Sequence, residues 1–335
     1  MTDMTKLWKQ VQHLPNVIGY SGELRPRIQD GKEVPGTRVF RVYVIQKIDT
    51  QKLKPKQLIP LSLKLNDQES VETDVVEMHR PTAPPWPKPV KLDSQGRIKK
   101  EEGDPGKMAL EAAKKAKQRP ASAGCSAIYN GGTACTLGWF AKDKVDGKLV
   151  IIANNHCTAN ENRLPFGASY MQPSPYDGLP SFLGILKRFV PIKFARRCLF
   201  GTKKPLNRVD VGVVSVDPSD ILLEIIGIGA ITGKRRGKVG EMVMKSGRTT
   251  CFTTDGLLID DAWYGEVGYS SGAAIFGPCG LIQKTGFSAG GDSSSAIITQ
   301  TDKKFAGLLF AGSDTHTIFC HYDFIETDAN LEIIW

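Results

Sequence analysis

The spacing of hydrophobic and polar positions changes along the chain, and its first part predicts a helix followed by strands. Three apolar residues recur at the spacing of one helix side: Leu7, Val11 and Leu14. The later runs TRVFRVYVIQKI and SVETDVVEM are rich in β-branched residues, which favours two strands. Residues 1–80 are therefore predicted to form a small α+β domain.

The next part, residues 81–120, differs in composition from both of its neighbours. Its first stretch, PTAPPWPKPVK, contains five prolines, which exclude a helix or an inner strand. Asp104 followed by Pro105 predicts the start of a helix through MALEAAKKAKQ, because proline suits the first helical position. That helix is highly charged and offers little apolar surface for docking. We therefore expect an exposed, partly helical linker that proteases cut between about Lys88 and Arg119.

The remainder, residues 121–335, alternates short apolar runs with glycine-rich turns. Nine runs favour strands: SAIYN, GTACTLGWFA, KLVIIAN, VDVGVVSV, GEMVMKSG, GLLID, AAIFG, SSAIIT and FAGLLFAG. Strands of this length with frequent glycine between them are typical of an all-β sandwich or barrel. The chain is thus predicted to be mainly β.

Composition and charge narrow the classes of partner. The net charge is +9, but its excess lies mainly in 88–119 and 187–204, and neither run interleaves aromatic residues with Lys and Arg in the manner of a nucleic-acid platform. Solvated segments explain this pattern better than a nucleic-acid surface does. No apolar run approaches the ~20 residues that span a bilayer, and the N-terminus lacks the apolar segment of a secretory signal. We expect a cytoplasmic protein with no membrane or nucleic-acid partner.

The cysteines give no sign of a metal centre. Seven are present, an odd number, and no CxxC pair occurs, which argues against a closed disulfide framework and a structural zinc site. His316, Cys320 and His321 are close in sequence, but no second pair of ligands accompanies them. We therefore expect neither a metal nor a cofactor.

Three polar residues next to predicted strands are candidates for nucleophilic catalysis. His156 stands where the run KLVIIAN ends, a position suited to a general base, although an ordinary loop histidine fits equally well. Asp210 lies between two valines, where a histidine N–H would be a natural partner; a surface aspartate is the alternative. Ser293 lies in GGDSSS, whose glycines let consecutive N–H groups point into one pocket, although three serines also suit a slack linker.

Several longer motifs occur in an order that resembles a known family. They are GTACTLGWF, ANNHCTANEN, MQPSPYDG, NRVDVGVV, VMKSGRTTCFTTDGLL, FSAGGDSSSAII and AGLLFAGSDTHTIF, with NVIGYSGELRPR and SVETDVVE nearer the N-terminus. The chain resembles the trypsin-like serine peptidases over nearly its whole length, and within them the intracellular Nal1-like group of bacteria and plants. The order His, Asp, Ser agrees with that resemblance.

The resemblance implies a chymotrypsin-like pair of six-stranded antiparallel β-barrels with the active site between them. The first barrel would supply His156 as general base and Asp210 as its orienting partner, and the second would supply Ser293 as nucleophile. The N–H groups of Gly291 and Ser293 would form the oxyanion hole.

The same resemblance implies where substrate binds. The substrate backbone would pair with the edge residues Ala311, Gly312 and Ser313. The specificity pocket would lie near Phe287 and Ser288, where no acidic residue stands, so a small or apolar side chain is favoured over Arg or Lys. The motif KSGRTT is expected to shape the second barrel without taking part in the chemistry.

Two departures from the family pattern bear on activity. Ser294 stands where the family has glycine, so a positive φ there would strain the loop by ~1–2 kcal/mol and loosen the oxyanion hole. Secreted relatives suggest a disulfide between Cys135 and Cys157, whereas a reducing cytosol disfavours one, so both states stay open.

The predicted function is that of a serine endopeptidase acting on a protein or peptide, with homo-oligomers left open. The alternative, kept open by Ser294, is a catalytically impaired trypsin-fold protein that binds peptides or partners. A variant of the first hypothesis is an autoinhibited peptidase whose N-terminal unit covers the cleft. Nucleic-acid binding through the basic linker is the weakest hypothesis, because no base-reading motif is present.

Overall fold

The computed structural model describes residues 4–29, 32–83, 105–198 and 201–335. The segment 84–104, which carries most of the predicted linker and the first half of the predicted cleavage region, lies outside the described residues.

The N-terminal unit has one helix and five strands. They are α1 (Met4–Val11), β1 (Val17–Ser21), β2 (Arg25–Gln29), β3 (Lys32–Val44), β4 (Ser62–Lys64) and β5 (Ser70–Glu77), with short 3-10 helices at Thr50–Lys52 and Pro55–Gln57. Helix α1 buries Leu7 and Val11 completely, as its spacing predicted. Strands β3 and β5 coincide with the two predicted runs and pair in parallel.

Helix α2 (Pro105–Lys115) begins at the proline, as predicted. It is not a free, exposed helix, however, because the Lys114 side chain is completely buried. Its ammonium donates hydrogen bonds to the Gly247 carbonyl, at 3.2 Å, and to the Ser246 hydroxyl. The expectation that a charged helix has nothing with which to dock is therefore wrong. A lysine supplies the contact that apolar side chains usually make.

Strands dominate the rest of the described chain. The elements up to residue 234 are β6 (Ala121–Ala123), β7 (Ile128–Tyr129), β8 (Trp139–Asp143), β9 (Leu149–Ala153), α3 (Asn155–Thr158), β10 (Ser169–Met171), β11 (Phe182–Phe189), β12 (Arg196–Cys198), β13 (Gly201–Lys203), β14 (Leu206–Asn207), β15 (Gly212–Val216), a 3-10 helix (Pro218–Asp220), β16 (Ile221–Ile225) and β17 (Gly233–Lys234). Those that follow are β18 (Met242–Gly247), β19 (Cys251–Tyr269), β20 (Gly272–Gln283), β21 (Ala296–Thr299), β22 (Lys304–Gly312), β23 (His316–His321), α4 (Tyr322–Ala329) and β24 (Leu331–Ile333).

One sheet brings together two of the candidate catalytic positions. It has seven strands in the order β24-β8-β9-β15-β11-β10-β7, all paired antiparallel. Strands β9 and β15 are neighbours, and Ala153 lies opposite Gly212. The end of β9 and the start of β15 therefore lie side by side. His156 follows shortly after the first and Asp210 comes shortly before the second, so the two residues are close together.

A second, larger sheet carries the remaining candidate. Within its thirteen strands, β18, β19, β20, β23, β22 and β21 pair in a cycle, because β19 and β20 form a long hairpin in addition to their other pairings. Ser293 precedes β21, at one end of this cycle. The sheet also continues from β19 to β1, so the N-terminal unit shares its hydrogen-bonded ladder.

A buried acid joins the N-terminal unit to the second sheet. Asp260 of β19 is completely buried. Its carboxylate accepts hydrogen bonds from the Arg25 guanidinium (2.6 Å), the Tyr43 hydroxyl (2.7 Å) and the Ser21 hydroxyl (3.1 Å), all of them from the N-terminal unit. A buried charge needs a countercharge and donors of this kind, so the two parts fit together as one structure.

The prediction of a mainly β fold with a small α+β unit before it is confirmed, and all nine predicted runs overlap strands. The division into domains at residues 80 and 120 stays a prediction. Among the described helices, none has the length and apolarity needed to cross a membrane.

Candidate active site

His156 and Asp210 form a buried hydrogen-bonded pair. His156 lies in α3, directly after β9, and its Nδ1 is 2.6 Å from Asp210 Oδ2. The backbone N–H of His156 also donates to Asp210 Oδ1 at 3.3 Å. Because both side chains are almost completely buried, this contact fixes the orientation of the imidazole. Nε2 is then the ring nitrogen that remains for other contacts.

Two further residues hold Asp210 in place. The Tyr269 hydroxyl donates to Asp210 Oδ2 at 2.8 Å, and the Asn154 amide donates to the Asp210 carbonyl at 2.9 Å. Burial raises the pKa of Tyr269 well above its ordinary value, and the neighbouring Asp210 charge raises it further. The tyrosine therefore stays a hydroxyl donor throughout the neutral range.

The turn that carries Ser293 is built around the buried carboxylate of Asp292. Asp292 accepts hydrogen bonds from the N–H groups of Thr249 (2.7 Å) and Ala289 (3.0 Å) and from the Thr250 hydroxyl (2.6 Å). These bonds hold residues 289–292 in a tight turn beside Thr249 and Thr250.

Lys245 supplies the countercharge for Asp292. Its ammonium lies 3.3 Å from Asp292 Oδ2, and both side chains are completely buried. Burial alone would raise the pKa of Asp292, but the Lys245 charge and the surrounding donors hold it below its ordinary value. The acid is thus ionised and its position is fixed.

Arg248 takes part in a second set of contacts that supports the turn before Ser293. The Arg248 guanidinium donates to Asp177 Oδ2 at 2.8 Å, which joins the motifs KSGRTT and MQPSPYDG. The Arg248 N–H donates to the Thr136 hydroxyl at 2.9 Å, and that hydroxyl donates to the Gly291 carbonyl at 2.9 Å. This chain of contacts links the loop before β8 to the turn before Ser293.

The turn leaves two backbone donors available. Gly291 has a φ of 94°, and a Cβ there would lie 2.4 Å from Thr249 Oγ1, so only glycine fits. The backbone N–H groups of Gly291 and Ser293 make no hydrogen bond to another described residue. Two free donors beside a hydroxyl are the arrangement that an oxyanion requires.

Ser294 has the positive φ that the sequence comparison anticipated, 75°. Its hydroxyl is also bonded, which the sequence did not indicate. It accepts from the Asn154 N–H at 2.8 Å and donates to Asn154 Oδ1 at 3.2 Å. Ser294 therefore ties the turn of the nucleophile to the segment that carries His156.

No hydrogen bond joins Ser293, the candidate nucleophile, to His156, the candidate base. His156 Nε2 is buried and has no hydrogen-bond partner in the described part of the chain, so Ser293 Oγ does not reach it in bonding geometry. Catalytic hydrogen bonds are often long without substrate and shorten when it binds. Nε2 is thus the ring nitrogen of His156 that has no hydrogen-bond partner among the described residues.

Cys135 and Cys157 are joined by a disulfide, the outcome that a cytosolic location disfavoured. It fastens the residue next to His156 to the loop before β8. Cys135, Cys157 and His156 also form the only group within the described ranges that could approach a metal ion. With both sulfurs bonded to each other, thiolate ligands are missing, and the group does not fit a metal site.

The predicted substrate-binding residues fall into two groups. Phe287 is completely buried in the hydrophobic core of the second sheet, so its side chain packs against the protein and not at the surface of a pocket. Ser288 is nearly buried, and its hydroxyl is 2.6 Å from that of Thr317. Ala311, Gly312 and Ser313 lie where β22 ends, and the Gly312 N–H and C=O are bonded to Thr82, so their role in binding substrate stays a prediction.

Sequence reasoning missed Tyr269, Asn154 and the ionic role of Lys245. Tyr269 lies in a hairpin with no local polar signal, and only the structure brings it to Asp210. The motif KSGRTT contained a usable signal, since a lysine and two threonines stand together in it, but solvated side chains explained it equally well.

Comparison with known proteins gives structural similarity only. No protein-family model matches the chain, and no curated protein matches it. Solved structures that it resembles include a Nocardiopsis protease, with 16% identity, a TM-score of 0.47 and coverage of 64% of this chain and 100% of that one. Thermobifida fusca protease A gives 17%, 0.45, 64% and 99%, and a glutamic acid-specific serine protease gives 19%, 0.44, 64% and 100%.

Proposed function

We propose that the protein is a serine endopeptidase that hydrolyses peptide bonds through Ser293, His156 and Asp210. The observation that carries this proposal is the 2.6 Å contact between His156 Nδ1 and a buried Asp210 carboxylate, which leaves the buried Nε2 without a hydrogen-bond partner among the described residues. A histidine held in this way is prepared to accept a proton from a serine hydroxyl.

The reaction follows from these positions. His156 takes the proton of Ser293 Oγ while that oxygen attacks the carbonyl carbon of the substrate. The N–H groups of Gly291 and Ser293 stabilise the oxyanion of the tetrahedral intermediate. His156 then gives its proton to the leaving amine, and an acyl-enzyme forms.

The second half of the reaction uses the same groups. A water molecule loses a proton to His156 and attacks the ester, and the proton returns to Ser293 when the new carboxylic acid leaves. Asp210 remains ionised throughout and stabilises the imidazolium.

Further parts of the proposal rest on the sequence pattern. They are membership of the Nal1-like group, the arrangement in two β-barrels, the domain boundaries, a cytoplasmic location and a preference for small or apolar side chains.

The second candidate is a protein of the same fold that binds peptides without turning them over. The missing bond between Ser293 and His156 Nε2 favours it, together with the positive φ of Ser294. This candidate predicts peptide binding that survives replacement of either catalytic residue.

A fluorophosphonate probe separates the two candidates, because it reacts only with an activated serine and loses fluoride as the Ser293 ester forms. We expect labelling of the wild type and none of Ser293→Ala or His156→Ala. The matched control is Ser295→Ala, since the one hydrogen bond that the Ser295 hydroxyl makes among the described residues stays within the turn, to the Asp292 carbonyl at 2.6 Å, and this variant should keep the label.

Peptide-library digestion by the same variants completes the test. Loss of turnover should be nearly the same in each single variant and in the double variant, because the two residues act as one unit. An unlabelled wild type, or digestion that persists in Ser293→Ala, would reject the proposal.

A further inference from the structure

A short segment after β5 pairs with the end of β22. The Thr82 N–H donates to the Gly312 carbonyl at 3.1 Å, and the Gly312 N–H donates to the Thr82 carbonyl at 3.3 Å. This reciprocal pair is an antiparallel bridge. Thr82 therefore lies beside β22 as an added strand would.

The other side of the same segment is paired as well. The Ala83 N–H donates to the Gly268 carbonyl at 2.8 Å, and the Gly268 N–H donates to the Pro81 carbonyl at 3.1 Å. Residues 81–83 thus fill the space between the ends of β19 and β22, and Ala83 is almost completely buried.

This place adjoins the catalytic residues. Gly268 immediately precedes Tyr269, whose hydroxyl donates to Asp210. Strand β22 is tied to the nucleophile turn, because the Ser294 N–H donates to the Leu309 carbonyl at 2.8 Å and the Leu309 N–H to the Ser295 carbonyl at 3.0 Å. A peptide entering the cleft beside Ser293 would meet the Gly312 edge next.

The added segment uses the groups that such a peptide needs. An extended substrate binds to a sheet edge through the N–H and C=O of an edge residue. At Gly312 both groups are already bonded to Thr82. Since each group serves one strand at a time, Thr82 and a substrate backbone exclude each other there.

The ion pairs that hold the segment lie at the surface, so its backbone bonds and the buried Ala83 side chain are the contacts that a substrate would have to replace. Beside the backbone bonds, His79 Nδ1 lies 2.6 Å from Asp314 and Arg80 lies 3.0 Å from Glu266. The His79, Asp314 and Arg80 side chains are each more than half exposed, and exposed ion pairs stabilise little.

We propose that residues 81–83 occupy the substrate main-chain site at Gly312 and hold the protein in an autoinhibited state. The inference rests on the proposed function and specifies its regulation. The ligand class that displaces the segment is an extended, unfolded polypeptide, since the site binds through backbone pairing at Gly312.

The decisive variant is Thr82→Pro, which removes the N–H that bonds to Gly312 while leaving every catalytic residue in place. Two substrates are compared. Labelled casein needs the edge, whereas p-nitrophenyl acetate has no backbone to pair with it and reports only the Ser293 centre. The matched control is Arg27→Ala, which removes an ion pair to Glu72 (2.9 Å) elsewhere on the N-terminal unit.

We expect Thr82→Pro to raise kcat/KM for casein at least about fivefold, because more molecules have a free edge. The ester rate should stay within about twofold, and Arg27→Ala should change neither rate. Unchanged casein turnover together with an unchanged ester rate would overturn the inference. If Thr82→Pro loses ester activity, the double variant His79→Ala/Arg80→Ala undergoes the same comparison with the same expectation.

Casein binding in the Ser293→Ala background separates this inference from the proposed function. Thr82→Pro should lower the Kd for labelled casein about fivefold there, whether or not the wild type hydrolyses peptides. A wild type that cleaves nothing, combined with tighter binding, would reject the peptidase and keep the occupied edge. Equal Kd values would reject the occupied edge.

Discussion

The Ser294 hydroxyl offers the sharpest test of how the active site is held together. Replacement by glycine has two opposed effects on the free energy of unfolding. A φ of 75° at a residue other than glycine costs ~1–2 kcal/mol, which glycine would recover. Glycine also loses more conformational freedom on folding, which costs roughly 0.5–1 kcal/mol.

The hydrogen bonds of the Ser294 hydroxyl decide whether the glycine variant is more or less stable than the wild type. The Ser294 hydroxyl bonds to the N–H and Oδ1 of Asn154, a completely buried residue. Without that hydroxyl, the Asn154 N–H has no acceptor, which costs about 1–3 kcal/mol. We expect Ser294→Gly to lower the free energy of unfolding by about 1 kcal/mol.

Ser294→Ala is the matched variant, because it removes the hydroxyl and keeps the strained backbone. It should lower the free energy of unfolding by about 2 kcal/mol, so the expected order of stability is wild type, glycine variant, alanine variant. Urea titration followed by tryptophan fluorescence measures the order. Since Asn154 also supports Asp210, kcat should fall several-fold in both variants.

Two results would refute this reasoning. A glycine variant more stable than the wild type by 1 kcal/mol or more would mean that backbone strain outweighs the bonds to Asn154. An alanine variant equal to the wild type would mean that the hydroxyl contributes nothing.

Three further predictions follow from buried groups. Tyr269→Phe removes a donor to Asp210 and should lower kcat about tenfold without changing the Tm by more than a few degrees, as a paired kinetic and melting measurement would show; an unchanged kcat would contradict it. Burial lowers the pKa of Lys114 to about 8, so the unfolded chain binds the extra proton, and stability should rise by up to about 3 kcal/mol between pH 8 and pH 10.5. Lys114→Met should lose that rise in urea titrations at the two pH values, and an identical pH dependence would count against it. Reduction of the Cys135–Cys157 bond, which closes a loop of 22 residues, should lower stability by about 3 kcal/mol and reduce turnover, and the Cys135→Ala/Cys157→Ala variant should reproduce both effects without reductant.

Local patterns were sufficient to predict the strands and the positions of three polar residues. His156 and Asp210 each stand at an end of an apolar run, and Ser293 stands before one, so the polar exceptions were visible in sequence. The contact between His156 and Asp210 depends on β9 and β15 being neighbours. The resemblance to a known family predicted that contact, but local spacing could not predict it.

The supporting contacts could not be predicted, because they join distant parts of the chain. Lys114 reaches Ser246 across 132 residues and Tyr269 reaches Asp210 across 59. The local sequence around Lys114 is that of a solvated lysine, and the local sequence around Tyr269 is that of an ordinary strand tyrosine. The prediction that helix α2 would be exposed was wrong for this reason. It considered only apolar contacts, whereas the helix docks through the buried ammonium of Lys114.

The Asp260 contacts have a consequence for how the molecule reaches its folded state. Strand β1 pairs with β19 across more than 240 residues, Gly19 with Gly265, and pairing over such distances is slow to form. Until it forms, the Asp260 carboxylate lacks Arg25, and the β19 edge presents unpaired backbone that can join another chain. A truncated chain that begins at residue 121 lacks β1 and Arg25, so its Asp260 carboxylate and its β19 edge would stay without these partners. Such a fragment should aggregate, and Ser21, Arg25 and Tyr43 would then belong to a built-in folding partner for residues 121–335.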